Sequence, residues 1–326
     1  MRSVLKVIAF LLALVVANEV YQIHQFDEDV VRYADQYHQI MKVQHADVLY
    51  LSASSNFAPE NTPEDDPRKI SQFLSDHLPR QQVEAINKPA SHAGSYRHYL
   101  ECLPASATVE TLVVTLNLRS FGPDWMHSEL ETALNQANVF YNQRSPLLNR
   151  VLLSLKDYDD KSIAERHALR GAAWDNDPLP FAAPKHTVSS WCALEKWGDW
   201  RNPKRQLADQ FIKQYGFVID AEHPRVKDFD AIVQTAQERG WHLVLHILPE
   251  NLERAEELVG EELPKLMRMN TDWLLERYRA MNVIIVDNLA LLGDQHFRDR
   301  DFPTEHYDQA GREAIAAAIA TKGWKK

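Results

Sequence analysis

Four segments of the chain carry side chains able to perform acyl transfer. Ser52-Ala53-Ser54-Ser55-Asn56 offers hydroxyl nucleophiles, and Asn87-Lys88-Pro89-Ala90-Ser91-His92-Ala93-Gly94-Ser95 offers a glycine amide. Asn117-Leu118-Arg119-Ser120-Phe121-Gly122-Pro123-Asp124-Trp125 offers an amide side chain and a guanidinium. Asp299-Arg300-Asp301-Phe302-Pro303-Thr304-Glu305-His306 offers carboxylates beside an imidazole. A nucleophile, a general base and N–H donors for a developing oxyanion are what cleavage of an ester through an acyl-enzyme requires. Each residue also has a plainer use. Ser54 and Ser55 suit a turn or helix cap, and Gly94 suits a turn of positive φ. Arg119 suits a buried pair with Asp124, and His306 a contact with Tyr307 or Tyr50.

These segments matter together because of the elements around them. Ala46 to Leu51, apolar but for Asp47, is the kind of run expected of a strand buried on both faces. Gln82 to Ile86 and Thr111 to Leu116 read as the next two strands, with helices over Ile70 to Leu78 and Tyr96 to Leu103. A helix over Asp228 to Arg239 ends at Gly240 and leads into a strand from Trp241 to Leu248. Another, Asn270 to Ala280, precedes a strand over Asn282 to Val286, and Ala310 to Ala320 closes the chain. Alternation of this kind predicts an α/β fold, a parallel sheet covered by helices on both faces. Ligands of such sheets bind beyond the carboxyl ends of the strands, where the first three segments lie, the fourth standing just before the last helix.

The rhythm fails between about residues 141 and 205. That stretch is rich in Trp, Asp and Pro, including Trp174, Trp191, Trp197 and Trp200. Its tryptophans predict an ordered insertion, a lid or packed subdomain, over a disordered loop.

Composition excludes several classes. With 36 Lys+Arg against 46 Asp+Glu the formal net charge is −10, the wrong sign for a nucleic-acid partner. Only ten glycines occur, none in a G-x-G-x-x-G or phosphate-loop arrangement, so no nucleotide partner is expected. No C-x-x-C or H-E-x-x-H is present, and His242 and His246 read as core residues of a strand. No metal and no cofactor are demanded. Cys102 and Cys192 could pair in an oxidising compartment if their Cα atoms lie close enough.

Arg2 and Lys6 flank the start of an unbroken apolar run from Val7 to Ala17. A charged start followed by such a run marks residues 1–23 as a secretory signal peptide or an uncleaved membrane anchor, leaving 24–326 as an exported body. The predicted location is periplasmic or otherwise extracytoplasmic.

The order of the segments resembles the SGNH (GDSL-type) hydrolase superfamily. Its nucleophilic serine follows the first strand, and its histidine precedes the last helix. Val48-Leu49-Tyr50-Leu51-Ser52-Ala53-Ser54 lies where that superfamily carries strand-G-D-S, and Phe302 to Arg312 is similar to its closing block. The resemblance implies a three-layer α/β/α, flavodoxin-like sheet, Ser54 as nucleophile, His306 as base and Gly94 as an oxyanion donor beside the Ser54 amide. Within the superfamily the chain looks most like exported proteins of the D-alanyl-lipoteichoic acid transfer type, which carry an S-P-Q-W-like turn echoed by Gly122-Pro123-Asp124-Trp125. That likeness implies an acylated glycan or cell-envelope polymer as substrate, and a membrane-bound O-acyltransferase as partner.

The pattern has departures. Ser52 and Ala53 replace the Gly and Asp of the nucleophile block, and Arg119 stands where the oxyanion Asn is expected. Asn117 or Arg119 would then supply that donor. Pro303 occupies the usual position of the triad acid, so Asp301 or Glu305 would orient His306, or the pair works as a dyad. Two functions follow: a serine-dependent O-acyl esterase or acyltransferase component, or a catalytically silent scaffold of the same fold that binds a glycan or a membrane partner.

Overall fold

The structure is a computed structural model describing residues 2–58, 66–194, 196, 198–199 and 201–324. Trp197 and Trp200 lie outside the described residues. The chain opens with a 23-residue helix, α1 (Arg2–His24), followed by α2 (Phe26–Tyr33) and α3 (Tyr37–Lys42). Strand β1 (Val48–Ser52), α4 (Ile70–His77), β2 (Val83–Asn87), α5 (Ala93–Cys102) and β3 (Thr111–Leu116) then alternate. Six helices follow: α6 (Pro123–Met126), α7 (Glu131–Tyr141), α8 (Pro146–Ser154), α9 (Ile163–Asn176), α10 (Val188–Cys192) and α11 (Pro203–Tyr215). Alternation resumes with α12 (Pro224–Arg239), β4 (His242–Ile247), α13 (Leu252–Val259), α14 (Glu262–Ala280), β5 (Ile284–Val286) and α15 (Gln309–Gly323).

All five strands are parallel, in the order β2-β1-β3-β4-β5. This is the flavodoxin-like order, and its direction reverses between β1 and β3. The expected α/β architecture is therefore the one the chain adopts. Side chains alternate through β1: Val48 and Tyr50 pack with Ile70, Phe73, Ile315 and Ile319 of α4 and α15. Leu49 and Leu51 pack on the other face, in the cluster that includes Tyr96, Ile232 and Leu274 of α5, α12 and α14. Burial on both faces explains the unbroken apolar run, since neither side of the strand meets water. Each fully buried aliphatic side chain contributes roughly 1.5–3 kcal/mol.

Differences from the sequence reading lie mainly in the connections. Two short helices, α2 and α3, precede β1, and Leu252–Val259 adds a helix before Glu262–Ala280. The stretch 141–205 is helical through α8, α9 and α10. Its Trp191 is fully buried, with Phe181 edge-on at 5.2 Å, so this tryptophan packs a core. Gly240 ends α12 at φ +68, a left-handed position as expected. Cys102 and Cys192 are both free thiols, so the conditional disulfide does not form. Burial pushes each of them up to about 12.

Candidate active site

β1 and β3 are in a register that pairs Val48 with Thr111 and Leu51 with Val114. Ser54 and Asn117 follow the carboxyl ends of these two neighbouring strands. That is the point where the strand order reverses, the usual crevice for a ligand in such sheets. Ser54 begins a single 3-10 turn, Ser54–Asn56, immediately past β1. The first amides of such a turn have no acceptor within it, which leaves the Ser54 N–H available.

Asn56 fixes this turn. It is fully buried, and its Oδ1 accepts from the Ser71 amide (2.9 Å) while its Nδ2 donates to Ser71 Oγ (3.1 Å) and Asn87 Oδ1 (2.6 Å). The nucleophile turn is thereby tied to the first turn of α4 and to the end of β2. Ser52 Oγ and Ser55 Oγ, 3.3 Å apart, are both buried beneath it.

His306 reaches the same place from the other end of the chain. Its Nε2 stands 3.2 Å from Ser54 Oγ, across 252 residues of sequence. Its Nδ1 meets the Asp299 carboxylate, which also accepts from Thr304 Oγ1 at 2.9 Å. The loop between them folds back on itself: Phe297 and Tyr307 form an antiparallel bridge, and the Arg298 amide donates to the His306 carbonyl at 2.9 Å. Tyr307 is fully buried and donates to the Pro249 carbonyl at 2.9 Å, pinning the loop to the end of β4. Arg312, also fully buried, donates to the Tyr307 carbonyl (2.7 Å) and to the carbonyls of Asp66 (2.8 Å) and Arg68 (3.0 Å). The His306 and Asp299 side chains keep 29% and 42% exposure, so the triad faces solvent on a rigid support.

Four expectations about the site need correction. Neither Asp301 nor Glu305 orients His306. Asp301 is exposed on the loop, and Asp299 holds the imidazole because the antiparallel bridge folds position 299 back onto 306. Glu305 points inward and pairs with Arg119, whose Nη2 donates at 2.6 Å and whose Nε donates to the other oxygen. Two donors of Arg119, Nε and Nη2, are thereby committed to Glu305, and its Cζ lies 5.0 Å from the centroid of Trp125. Asp124, the partner considered for Arg119, instead accepts from Arg170 (3.0 Å) and Gln214. The Gly94 amide donates to His92 Nδ1 at 3.1 Å as the cap of α5, and a Cβ there would meet Asp228 and His92. It is committed to that helix start and does not stand open beside Ser54.

Asn117 is 5% exposed, and its Oδ1, an acceptor, is buried with no hydrogen-bond partner, so any contribution to an oxyanion would come from its Nδ2. Its carbonyl accepts from the Ser120 amide (3.2 Å) and Ser120 Oγ (2.7 Å), which holds the turn after β3.

Beneath the site lies a buried ionic group that the sequence does not suggest. Glu250 is fully buried and accepts from Tyr215 Oη at 2.6 Å. Burial, and then the nearby Glu305 carboxylate, push its carboxyl well above the usual carboxylate range. On β4, His246 is fully buried between Tyr50 Oη (2.9 Å) and Thr115 Oγ1 (3.0 Å), and burial lowers it to about 3. His242 is exposed and contacts the Gly323 carbonyl at 2.9 Å, so only one of these two strand histidines belongs to the core. Among the described residues no group of His, Cys, Asp and Glu is arranged to hold a metal ion.

No family model matches the chain, and no curated protein matches it. Two solved structures are similar in shape. One is a lipase/acylhydrolase from Enterococcus faecalis, with 10% identity, a TM-score of 0.37, and coverage of 84% of this chain and 93% of that one. The other is a candidate platelet activating factor from Streptococcus pneumonia, with 12% identity, a TM-score of 0.37, and coverage of 97% and 99%. Likenesses this distant decide nothing about chemistry. What the site can do follows from its own geometry: a serine, an imidazole and a carboxylate in hydrogen-bonded series at the reversal point of a parallel sheet.

Proposed function

We propose that the protein is an exported SGNH-type serine acyl hydrolase or acyltransferase acting on O-acyl groups of a cell-envelope glycan or polymer. The observation that carries this reading is the chain of contacts Ser54 Oγ, His306 Nε2, His306 Nδ1, Asp299. Ser54 Oγ attacks the acyl carbonyl while its proton passes to His306 Nε2. The tetrahedral oxyanion is held by the Ser54 amide and the Asn117 side chain. Collapse breaks the ester bond, and the proton on His306 goes to the departing alkoxide. His306 then takes a proton from water, or from an acceptor hydroxyl, as that oxygen attacks the acyl-enzyme carbonyl. Collapse breaks the bond to Ser54 Oγ, which regains its proton from His306, giving hydrolysis or transfer. Asp299 holds the imidazole tautomer throughout and stabilises its charged form.

The scaffold alternative has two supports, Ser52 and Ala53 in place of Gly and Asp before Ser54 and Pro303 in place of the acid; the contact of Asp299 with His306 answers the second. Export is supported by the apolar α1, whose hydrophobic window has a mean hydropathy of 2.1 and no burial against the body. A partner of the membrane-bound O-acyltransferase type belongs to the transfer version of the proposal.

The test is turnover of an aryl acetate and of an O-acetylated glycan by the full chain, with and without an added glycan acceptor. Acetate release, or acetyl transfer to the acceptor, is expected, and both should vanish in Ser54→Ala. Absence of both reactions in the folded protein overturns the proposal.

A further inference from the structure

We infer that helix α8 is an interfacial foot that lies in the headgroup region of the bilayer crossed by α1. This inference rests on the reading of α1 as a retained, membrane-spanning anchor. The stretch of α1 from Val4 to Ala17, apolar but for Lys6, is 14 residues long. At 1.5 Å per residue it spans about 21 Å, short of the roughly 30 Å hydrocarbon core. The polar Asn18 and Glu19 that follow mark where the helix leaves the hydrocarbon, and the bilayer meets the shortfall by thinning. This end of α1 is already attached to the folded body. Asn18 Oδ1 accepts from Ser145 Oγ (2.6 Å) and from the Leu147 amide (3.0 Å) in the first turn of α8. Tyr21 is buried and donates to Asp29 of α2 at 2.7 Å. The start of α8 therefore sits at the depth of Asn18, within the outer layer of the membrane.

The surface of α8 fits that depth. Asn149 and Leu153 are buried, while Leu148, Val151 and Leu155 are 44%, 44% and 72% exposed. The spacing i, i+3, i+7 places those three on one narrow stripe, away from the buried pair. Val20 and Ile23, on the last turns of α1, are 53% and 71% exposed. Arg144 before the helix is exposed, a cation as anionic headgroups favour, while Lys156 after it is exposed and paired with Asp160 at 3.0 Å. Glu19, exposed on the last turns of α1, is the one acidic side chain among Asn18 to Ile23 and belongs at headgroup level. A second attachment beside α1 limits rotation of the body about its anchor and so fixes the height of Ser54 above the bilayer.

The experiment places an environment-sensitive fluorophore on the full chain at Leu148→Cys, Val151→Cys, Phe10→Cys and Met269→Cys in separate variants. The proteins are reconstituted in phosphatidylglycerol/phosphatidylethanolamine vesicles with or without lipids carrying a quencher near the headgroup or deep in the chain. Labels at 148 and 151 should shift to the blue and lose roughly half their emission to the shallow quencher. The label at 10 should be quenched by the deep one, and the label at 269, on exposed α14, by neither. Quenching at 10 with positions 148 and 151 behaving like 269 overturns the foot and leaves the anchor standing. No quenching at 10 overturns the anchor and the foot together. A blue shift at 148 and 151 without quenching means protein covers α8, which overturns lipid as its occupant.

Discussion

Asp299 and His306 are seven residues apart and meet side chain to side chain because Phe297 and Tyr307 form an antiparallel bridge that closes the loop between them. The imidazole that results is held at one nitrogen by a carboxylate and presents the other to Ser54 at 3.2 Å. Asp299→Asn should therefore keep the fold while losing the correct tautomer, lowering kcat on an aryl ester by about 10²–10⁴-fold with little change in KM. Asp301→Asn should stay near wild type. Steady-state kinetics on the two variants checks the assignment, and equal effects would sink it.

Asn117 follows β3 as Ser54 follows the neighbouring β1, and its Nδ2 is the proposed side-chain donor to the oxyanion. Asn117→Ala should lower kcat by about 10²–10³-fold, the usual cost of removing one oxyanion donor. The thermal midpoint should move little, since that side chain supports no other buried group. Kinetics together with a melting curve separates this loss from unfolding.

Arg119 and Glu305 are a closed, buried pair one residue from the base. Arg119→Met or Glu305→Met alone should cost about 3–5 kcal/mol of stability by stranding the partner charge, while the double replacement should cost much less. Urea denaturation of the three variants measures this coupling. Additive losses would show that the two side chains act separately.

His246 makes a pH prediction with a definite sign. Burial lowers it from the ordinary 6.5 to about 3, so between those values the unfolded chain binds a proton that the folded chain does not. Its contribution to stability is complete above the unfolded value and is lost as pH falls toward about 3. Within that window the slope attributable to His246 approaches about 1.4 kcal/mol per pH unit. In His246→Gln this share of the slope should disappear, as denaturation at several pH values between 4 and 6.5 would reveal.

The sheet was legible because its strands are buried on both faces, so Val48 to Leu51 shows as an unbroken apolar run and Thr111 to Leu116 as an apolar, β-branched one. Ser54 and His306 were legible because each stands next to one of these clear elements. Asp299 was not, because its nearness to His306 depends on a bridge between Phe297 and Tyr307 that no spacing rule encodes. Glu305 misled for the same reason: adjacency in sequence sends its side chain to the opposite side of the chain, toward Arg119. Gly94 misled because a glycine near a strand end serves equally well as the start of a helix, and His92 caps that helix through the Gly94 amide. The helices of 141–205 escaped notice because their apolar faces are short and interrupted by Pro, Asp and Lys. Asn56 carried no signal of chemistry, although its three hydrogen bonds hold the nucleophile turn.

The most direct test of an activated serine is labelling of the full chain in detergent with a fluorophosphonate, followed by peptide mass mapping. A single adduct is expected on Ser54, absent in His306→Ala and formed more slowly in Asp299→Asn. An adduct on another serine, an adduct on Ser54 that His306→Ala leaves unchanged, or no adduct in the folded protein would contradict the account.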